Sequence, residues 1–230
     1  MIFLLTTVIT YFIYRITKSY YKKSAFPLFH PLLICPIIII LILSVLHFPA
    51  DRFIGASKGL THMLGPATVA FAIPIYKHFH LIKKNLVIIL ISITAGSLVA
   101  IFSSFGLSLI FHLNPEFLIS VLPRSITTPI AIEVSKEIGG LPTLTTIFVI
   151  ITGIIGGILG PLELKWMSIQ SPIAKGLALG MSAHGVGTTK AMEYGETEAT
   201  FSTLAMIFAA IITLIWASSF IPALMNIAHL

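Results

Sequence analysis

The residues able to do chemistry lie in two short runs. The first is LPRSITTPIAIEVSKEIGG at 122–140, which sets Arg124, Ser125, Thr127, Thr128, Glu133, Ser135, Lys136 and Glu137 among strongly apolar neighbours. Pro123 interrupts the chain. Thr128-Pro129 then reads as an N-cap followed by proline at the first helical position, and Gly139-Gly140 closes the short helix. Orphan N–H groups and the helix dipole make such an N-terminus attractive to a small anion, and Arg124 with the hydroxyls beside it adds charge and donors. A surface loop with a capped helix is the plainer alternative. The second run is SPIAKGLALGMSAHGVGTTK at 171–190. Here an apolar half-helix ends in SAHGVG, and Thr188-Thr189 can cap a second half-helix. Two glycine- or proline-broken segments, each with hydroxyls and one ionisable group, are the sequence sign of a transporter site near the bilayer midplane.

Each candidate has a second reading. A cation at depth is costly, so Arg124 either holds a carboxylate or snorkels to the interface. Glu133, one and a half turns on from Thr128, either carries a coupling proton or pairs with a nearby lysine or with Arg124. His184, the only histidine inside a broken apolar segment, either titrates during transport or donates to a carboxylate, or else is a hydrogen-bonded packing residue. The expected substrate-binding set is Arg124, Ser125, Thr127, Thr128, His184, Gly185, Gly187, Thr188 and Thr189, with Glu133 and His184 as proton sites. No metal is expected, since His78 and His80 in one loop are the only closely spaced ligand pair. Asp51 is the only aspartate, and neither GxSxG nor HExxH occurs. The expectation is therefore no catalytic residue, no cofactor and no enzyme.

These residues belong to a chain that water cannot hold. Of 230 residues 57% are hydrophobic and only 10% charged, and mean hydropathy is +1.02. So few charges cannot cover a soluble domain of this size. Apolar runs recur near the length that spans a bilayer, so the fold class is all-α, a single polytopic membrane domain over 1–230 with seven or eight crossings, including broken or re-entrant half-helices. The net charge of +6 reports topology, not nucleic-acid binding, because the bases sit in short clusters between apolar runs. Cys35 stands alone, which excludes an internal disulfide. The start of the chain lacks the basic n-region and small-residue cleavage site of a signal peptide.

In order, the expected segments are 2–16, 31–48, 60–76, 86–111, 117–122 leading into the central stretch, 144–159, 172–190 and 199–227, the last kinked near Pro222. Arg15, Lys18, Lys22 and Lys23 form one cytoplasmic cluster, and Lys77, His78, His80, Lys83 and Lys84 another. Residues 49–59 and 161–171 read as loops. Segment 60–76 contains LGPATVAFAIP, whose Gly65, Pro66 and Thr68 mark either a broken helix or an ordinary proline kink. Glycines and serines in 86–111 and 144–159 allow close packing. These faces and the lipid-type face of 31–48 suggest a homo-oligomer. A weak echo of Leu64-Gly65-Pro66 and Thr94 in Leu122-Pro123-Arg124 and Thr152 suggests an internal repeat. Whether the central stretch crosses fully or re-enters stays open, and with it the side of the C-terminus.

The runs LPRSITTPIAIEVSKEIGG, TGIIGGILGP and IAKGLALGMSAHGVGTTKAMEYGETEATFSTLAM, with LGPATVAFAIPIYK, resemble the LrgB/CidB family of bacterial membrane proteins from about residue 31 onward. The RSIT and IAKGL wording is closer to the CidB branch. The resemblance implies one of two roles in the bacterial cytoplasmic membrane. One is a holin/antiholin-like modulator of murein hydrolase activity and autolysis. The other is a carrier of small monocarboxylates such as pyruvate, lactate or glycolate, working with a small LrgA/CidA-type membrane partner. Plant relatives whose C-terminal part looks like this chain are chloroplast glycolate/glycerate translocators. The resemblance assigns no site residue.

Overall fold

The computed structural model describes residues 2–24, 29, 31–63, 66, 69–70 and 72–227. Within them the chain is helical, and no strand occurs among the described residues. It forms two compact units, 1–72 and 73–230.

The first unit holds α1 (Ile2–Ser24), α2 (Pro31–Val45), α3 (Ala50–Ala56) and α4 (Lys58–His62). α1 outruns the expected 2–16, because straight-chain and aromatic residues such as Lys18, Tyr20 and Tyr21 continue a helix beyond its apolar part. The expected loop at 49–59 is largely α3 and α4. An apolar groove of about 700 Å³ lies between α1, α2 and α3. Gly65 and Thr68 lie outside the described residues. Pro66 is exposed with helical backbone.

The second unit begins with α5 (Ala72–Lys77) and α6 (Phe79–Lys84) and continues through α7 (Leu86–Ile110) and α8 (Pro115–Val121). A 3-10 turn (Leu122–Ser125) leads to α9 (Thr128–Glu137) and α10 (Pro142–Trp166). The chain then forms α11 (Pro172–Tyr194), α12 (Glu196–Ser218) and α13 (Phe220–Ile227). α7 buries Ile89, Ile93, Ser97, Ile101, Ser104, Phe105 and Ser108, a single face at helical spacing. α10 runs straight through Pro161 to Trp166 where a loop was expected, since apolar packing sustains a helix across a proline in lipid. The last segment breaks at Ser219, earlier than the expected kink, and Pro222 falls in the first turn of α13, where its missing N–H costs nothing.

By length and composition, α7, α10 and α12 can cross a membrane alone, and a shorter apolar helix covers Leu33–Val45. The protein is a polytopic α-helical membrane protein. In its most apolar window α12 is 56% buried, against 22% for α7 and 28% for α10. α12 is therefore the inner helix of this unit, and the other two turn broad faces to lipid.

Candidate functional site

The second run doubles back. His184 interrupts α11 with φ 38° and ψ −116°. In a straight helix, residues 179 and 187 would be about 12 Å apart, and residues 175 and 194 about 28 Å. Here a Cβ on Gly187 would overlap the Leu179 carbonyl oxygen, and the Lys175 Nζ stands 5.6 Å from the centre of the Tyr194 ring. α11 is thus a re-entrant hairpin with arms 172–183 and 185–194 and its corner at His184.

Glycines set its depth. A Cβ on Gly160 would meet Leu179, on Gly157 Val186, on Gly156 Ala183, and on Gly153 the His184 ring at 2.8 Å. Walking from Gly160 to Gly153 along α10 is walking down the hairpin to its tip. The tip reaches the middle of α10, about 16 Å from Pro142, where the His184 Nε2 lies 3.1 Å from the Val149 carbonyl oxygen. The arms also rest on α12. Gly176 abuts the Glu198 carbonyl and Phe201, Gly180 abuts the Ser202 backbone, and the Thr188 and Ser202 hydroxyls share a 2.9 Å hydrogen bond.

The first run is a second re-entrant element, entering from the opposite end of α10. Its two ends meet: the Leu141 N–H donates to Ser120 Oγ at 2.8 Å, and a Cβ on Gly140 would lie 3.3 Å from the Ser120 Cα. Thr145 donates to the Ser120 carbonyl at 2.9 Å and shares a 2.7 Å hydrogen bond with Ser135. Ser120, Ser135 and Thr145 are all fully buried. Between the ends, the 3-10 turn gives way to extended backbone at Ile126 and Thr127, and α9 returns. The N-cap is Thr127, not Thr128, with Thr128 and Pro129 in the first turn. Proline is tolerated throughout that turn because its N–H would be unpaired anyway. Gly139, at φ 82°, ends α9 in a Schellman motif, with the Gly140 N–H bonded to the Ser135 carbonyl at 2.7 Å and the Gly139 N–H to that of Lys136 at 3.4 Å.

Arg124 is half-buried on this element. Its Nε donates to Ser104 Oγ at 2.7 Å, about 9 Å in from the end of α7 at Ile110, and Ser104 in turn donates to the Ala100 carbonyl. Its terminal amino groups have no partner among the described residues. The 3-10 turn packs against α7, α10 and α11, so the Arg124 turn and the hairpin share a neighbourhood.

The expected binding residues divide. The hydroxyls of Ser125, Thr127 and Thr128 have no hydrogen-bond partner among the described residues, although Ser125 is buried. With the guanidinium and the α9 N-terminus they form a set of uncommitted donors suited to a small anion. On the α11 side the hydroxyls are spent. Thr188 donates to the His184 carbonyl at 2.9 Å and accepts from Ser202, and Thr189 donates to the Gly185 carbonyl at 3.1 Å. They bond one turn back and do not cap. Gly187 is filled by Leu179, and Gly185 is exposed. Glu133 is exposed and accepts a 2.8 Å bond from Lys136, while His184 is buried. Pro123 is buried and Pro129 exposed. No group of three metal-ligating side chains occurs among the described residues. Sequence reasoning missed Ser104 as the partner of Arg124. Ser97, Ser104 and Ser108 recur on one face of α7, and that spacing was the available signal.

The sequence matches the LrgB-like family over residues 10–223. It is 41% identical over 206 residues to the uncharacterized protein YwbG of Bacillus subtilis (strain 168), covering 90% of this chain and 92% of that one. It is 36% identical over 209 residues to the holin-like protein CidB of Staphylococcus epidermidis, covering 91% of each chain, and 36% identical over 210 residues to CidB of Staphylococcus aureus, covering 91% and 90%. No solved structure matches. A match across both re-entrant elements and across α7, α10 and α12 leaves one conclusion: the chain belongs to the LrgB-like family.

Proposed function

We propose that the protein is a carrier of small monocarboxylates in the bacterial cytoplasmic membrane. The observation that supports this most is Arg124, a cation set in from the end of α7, anchored by one nitrogen and otherwise uncommitted. Uncommitted hydroxyls and a helix N-terminus stand beside it. A guanidinium left with a free fork matches a carboxylate in two parallel hydrogen bonds. The re-entrant elements from opposite ends of α10 form the kind of frame in which one side opens while the other stays shut. The reading is of transport without catalysis or cofactor. A small LrgA/CidA-type membrane partner and self-association belong to the same reading. Of the two proton sites, buried His184 fits a coupled carrier better than Glu133, whose carboxylate is exposed and engaged by Lys136.

Purified protein in liposomes is expected to take up pyruvate, lactate or glycolate saturably. Arg124→Ala is expected to abolish uptake, and Arg124→Lys to retain a fraction of it. Full uptake by Arg124→Ala sinks the site. Under an imposed proton gradient, His184→Gln is expected to lose the gradient response and Glu133→Gln to keep it.

The relatives named holin-like support a second reading, a pore-forming or autolysis-controlling component. Release of large dyes from the same liposomes would favour it, and tight liposomes with saturable flux would favour the carrier.

A further inference from the structure

A cavity of about 400 Å³ lies outside the site just described, between the first half of α7 and the first arm of α11. Its mouth is marked by Asn85 and Ser171, its wall by Ile88, Ser92 and Leu177, and its floor by Met181. From Ser171 to Met181 along the arm is about 15 Å, half of the roughly 30 Å hydrocarbon core, which is the depth of one leaflet. The mouth lies at the end of the unit that carries Lys77, Lys83, Lys84, Lys165 and Lys175. The opposite end holds Lys136, so the lysine bias assigns the mouth to the cytoplasmic side. These lysines are not equivalent. Lys77 pairs with Glu196 at 3.5 Å, and Lys175 lies over the Tyr194 ring. Lys83 and Lys84, in the last turn of α6 directly before Asn85, are exposed and have no ion pair among the described residues.

We propose that this cavity is a binding site for an anionic phospholipid of the cytoplasmic leaflet. One acyl chain lies along Ile88 and Leu177 down to Met181. The phosphate and headgroup sit at the mouth against Lys83 and Lys84. The chain length matches the depth, and the uncommitted charge matches the headgroup. The lipid tail ends at Met181, whose side chain packs on Gly96 of α7, where a Cβ would come within 2.9 Å. Met181 stands three residues before the hairpin corner, so the bound chain supports the arm that carries it.

The test is native mass spectrometry of the full chain, released from detergent micelles carrying phosphatidylcholine with a minor fraction of phosphatidylglycerol. The expected result is retention of phosphatidylglycerol over phosphatidylcholine. The double variant K83Q/K84Q should weaken that preference about thirtyfold, and Ala178→Trp, which fills the cavity, should remove it. The double variant K22Q/K23Q, which removes equal charge from α1, should leave it intact. Any one of these results would overturn the site: equal retention of the two lipids, an unchanged preference in K83Q/K84Q or in Ala178→Trp, an equal loss in K22Q/K23Q, or displacement of the lipid by soluble glycerol phosphate. The thermal transition in phosphatidylcholine alone shows that each variant is folded.

Discussion

The element at 120–141 closes its mouth with hydrogen bonds, whereas α11 is held, arm to arm and against α12, by contacts between glycine and backbone. In the first, Ser120, Ser135 and Thr145 are buried and mutually bonded, and a Schellman turn finishes α9. In the second, Gly176, Gly180 and Gly187 bring backbone against backbone, and one non-glycine residue, His184, holds the corner at positive φ. The first arrangement is directional and tolerates little sliding. The second is short-ranged and largely non-directional, and a residue at positive φ persists only because its surroundings hold it there. The Arg124 element is thereby held chiefly by directional bonds, and the hairpin chiefly by close backbone packing, with the His184–Val149 and Thr188–Ser202 bonds added to it.

That contrast can be broken by substitution. The largest effect is expected from Gly180→Ala or Gly187→Ala, whose Cβ atoms would strike the Ser202 backbone and the Leu179 carbonyl. Neither obstacle can rotate away, so the cost should reach or pass the ~3 kcal/mol top of the usual overpacking range. Thermal unfolding in detergent measures it, and a change under 1 kcal/mol contradicts the doubled-back arm. Next comes Thr145→Val, which leaves buried polar groups on Ser120 and Ser135 short of a partner and is expected to cost about 1–3 kcal/mol. Thr145→Ser keeps the hydroxyl and should cost distinctly less. If the two substitutions are equal, packing rather than hydrogen bonding closes the first element.

Smaller effects sharpen the comparison. Ser104→Ala removes the hydrogen bond that orients Arg124 without touching the hairpin. A bond to a charged group contributes about 1.5–3 kcal/mol, so the substrate concentration for half-maximal uptake is expected to rise about tenfold or more with the maximal rate less affected. An unchanged value means that Ser104 does not position the guanidinium. Smallest is a difference between two variants at the corner. His184→Gly and His184→Ala lose the same ring and the same bond to Val149, but only glycine adopts this backbone without steric cost. His184→Gly is expected to be the more stable by about 1 kcal/mol in the same unfolding assay.

Much of this was legible in the residues, and the misses have physical causes. The break at SAHGVG was readable because glycines flank a polar residue inside an apolar run. The folding back was not, because a break in sequence carries no angle. The cluster of donors was readable at Arg124, Ser125 and Thr127, yet the cap fell on Thr127 because proline fits any position of a first turn. Pro161 was read as a stop, but in lipid the neighbours of a proline keep the helix intact. Thr188 and Thr189 looked like caps because sequence does not tell a hydroxyl that faces forward from one that bonds the carbonyl behind it. Ser104 was invisible as a partner of Arg124 because their pairing exists only after α7 and the 3-10 turn meet.

The hairpin also fixes an order of manufacture. Arms of about 18 and 15 Å cannot span the hydrocarbon core as they leave the ribosome, so neither can settle as a stable inserted helix by itself. The surface that receives Gly176, Gly180 and Thr188 is the first half of α12, which is translated afterwards. α10 offers the hairpin one receiving surface as it emerges, and the second is complete only when α12 has been inserted. A nascent chain stalled before Glu196 is expected to leave residues 172–194 open to protease on the cytoplasmic side, and release through α12 to protect them.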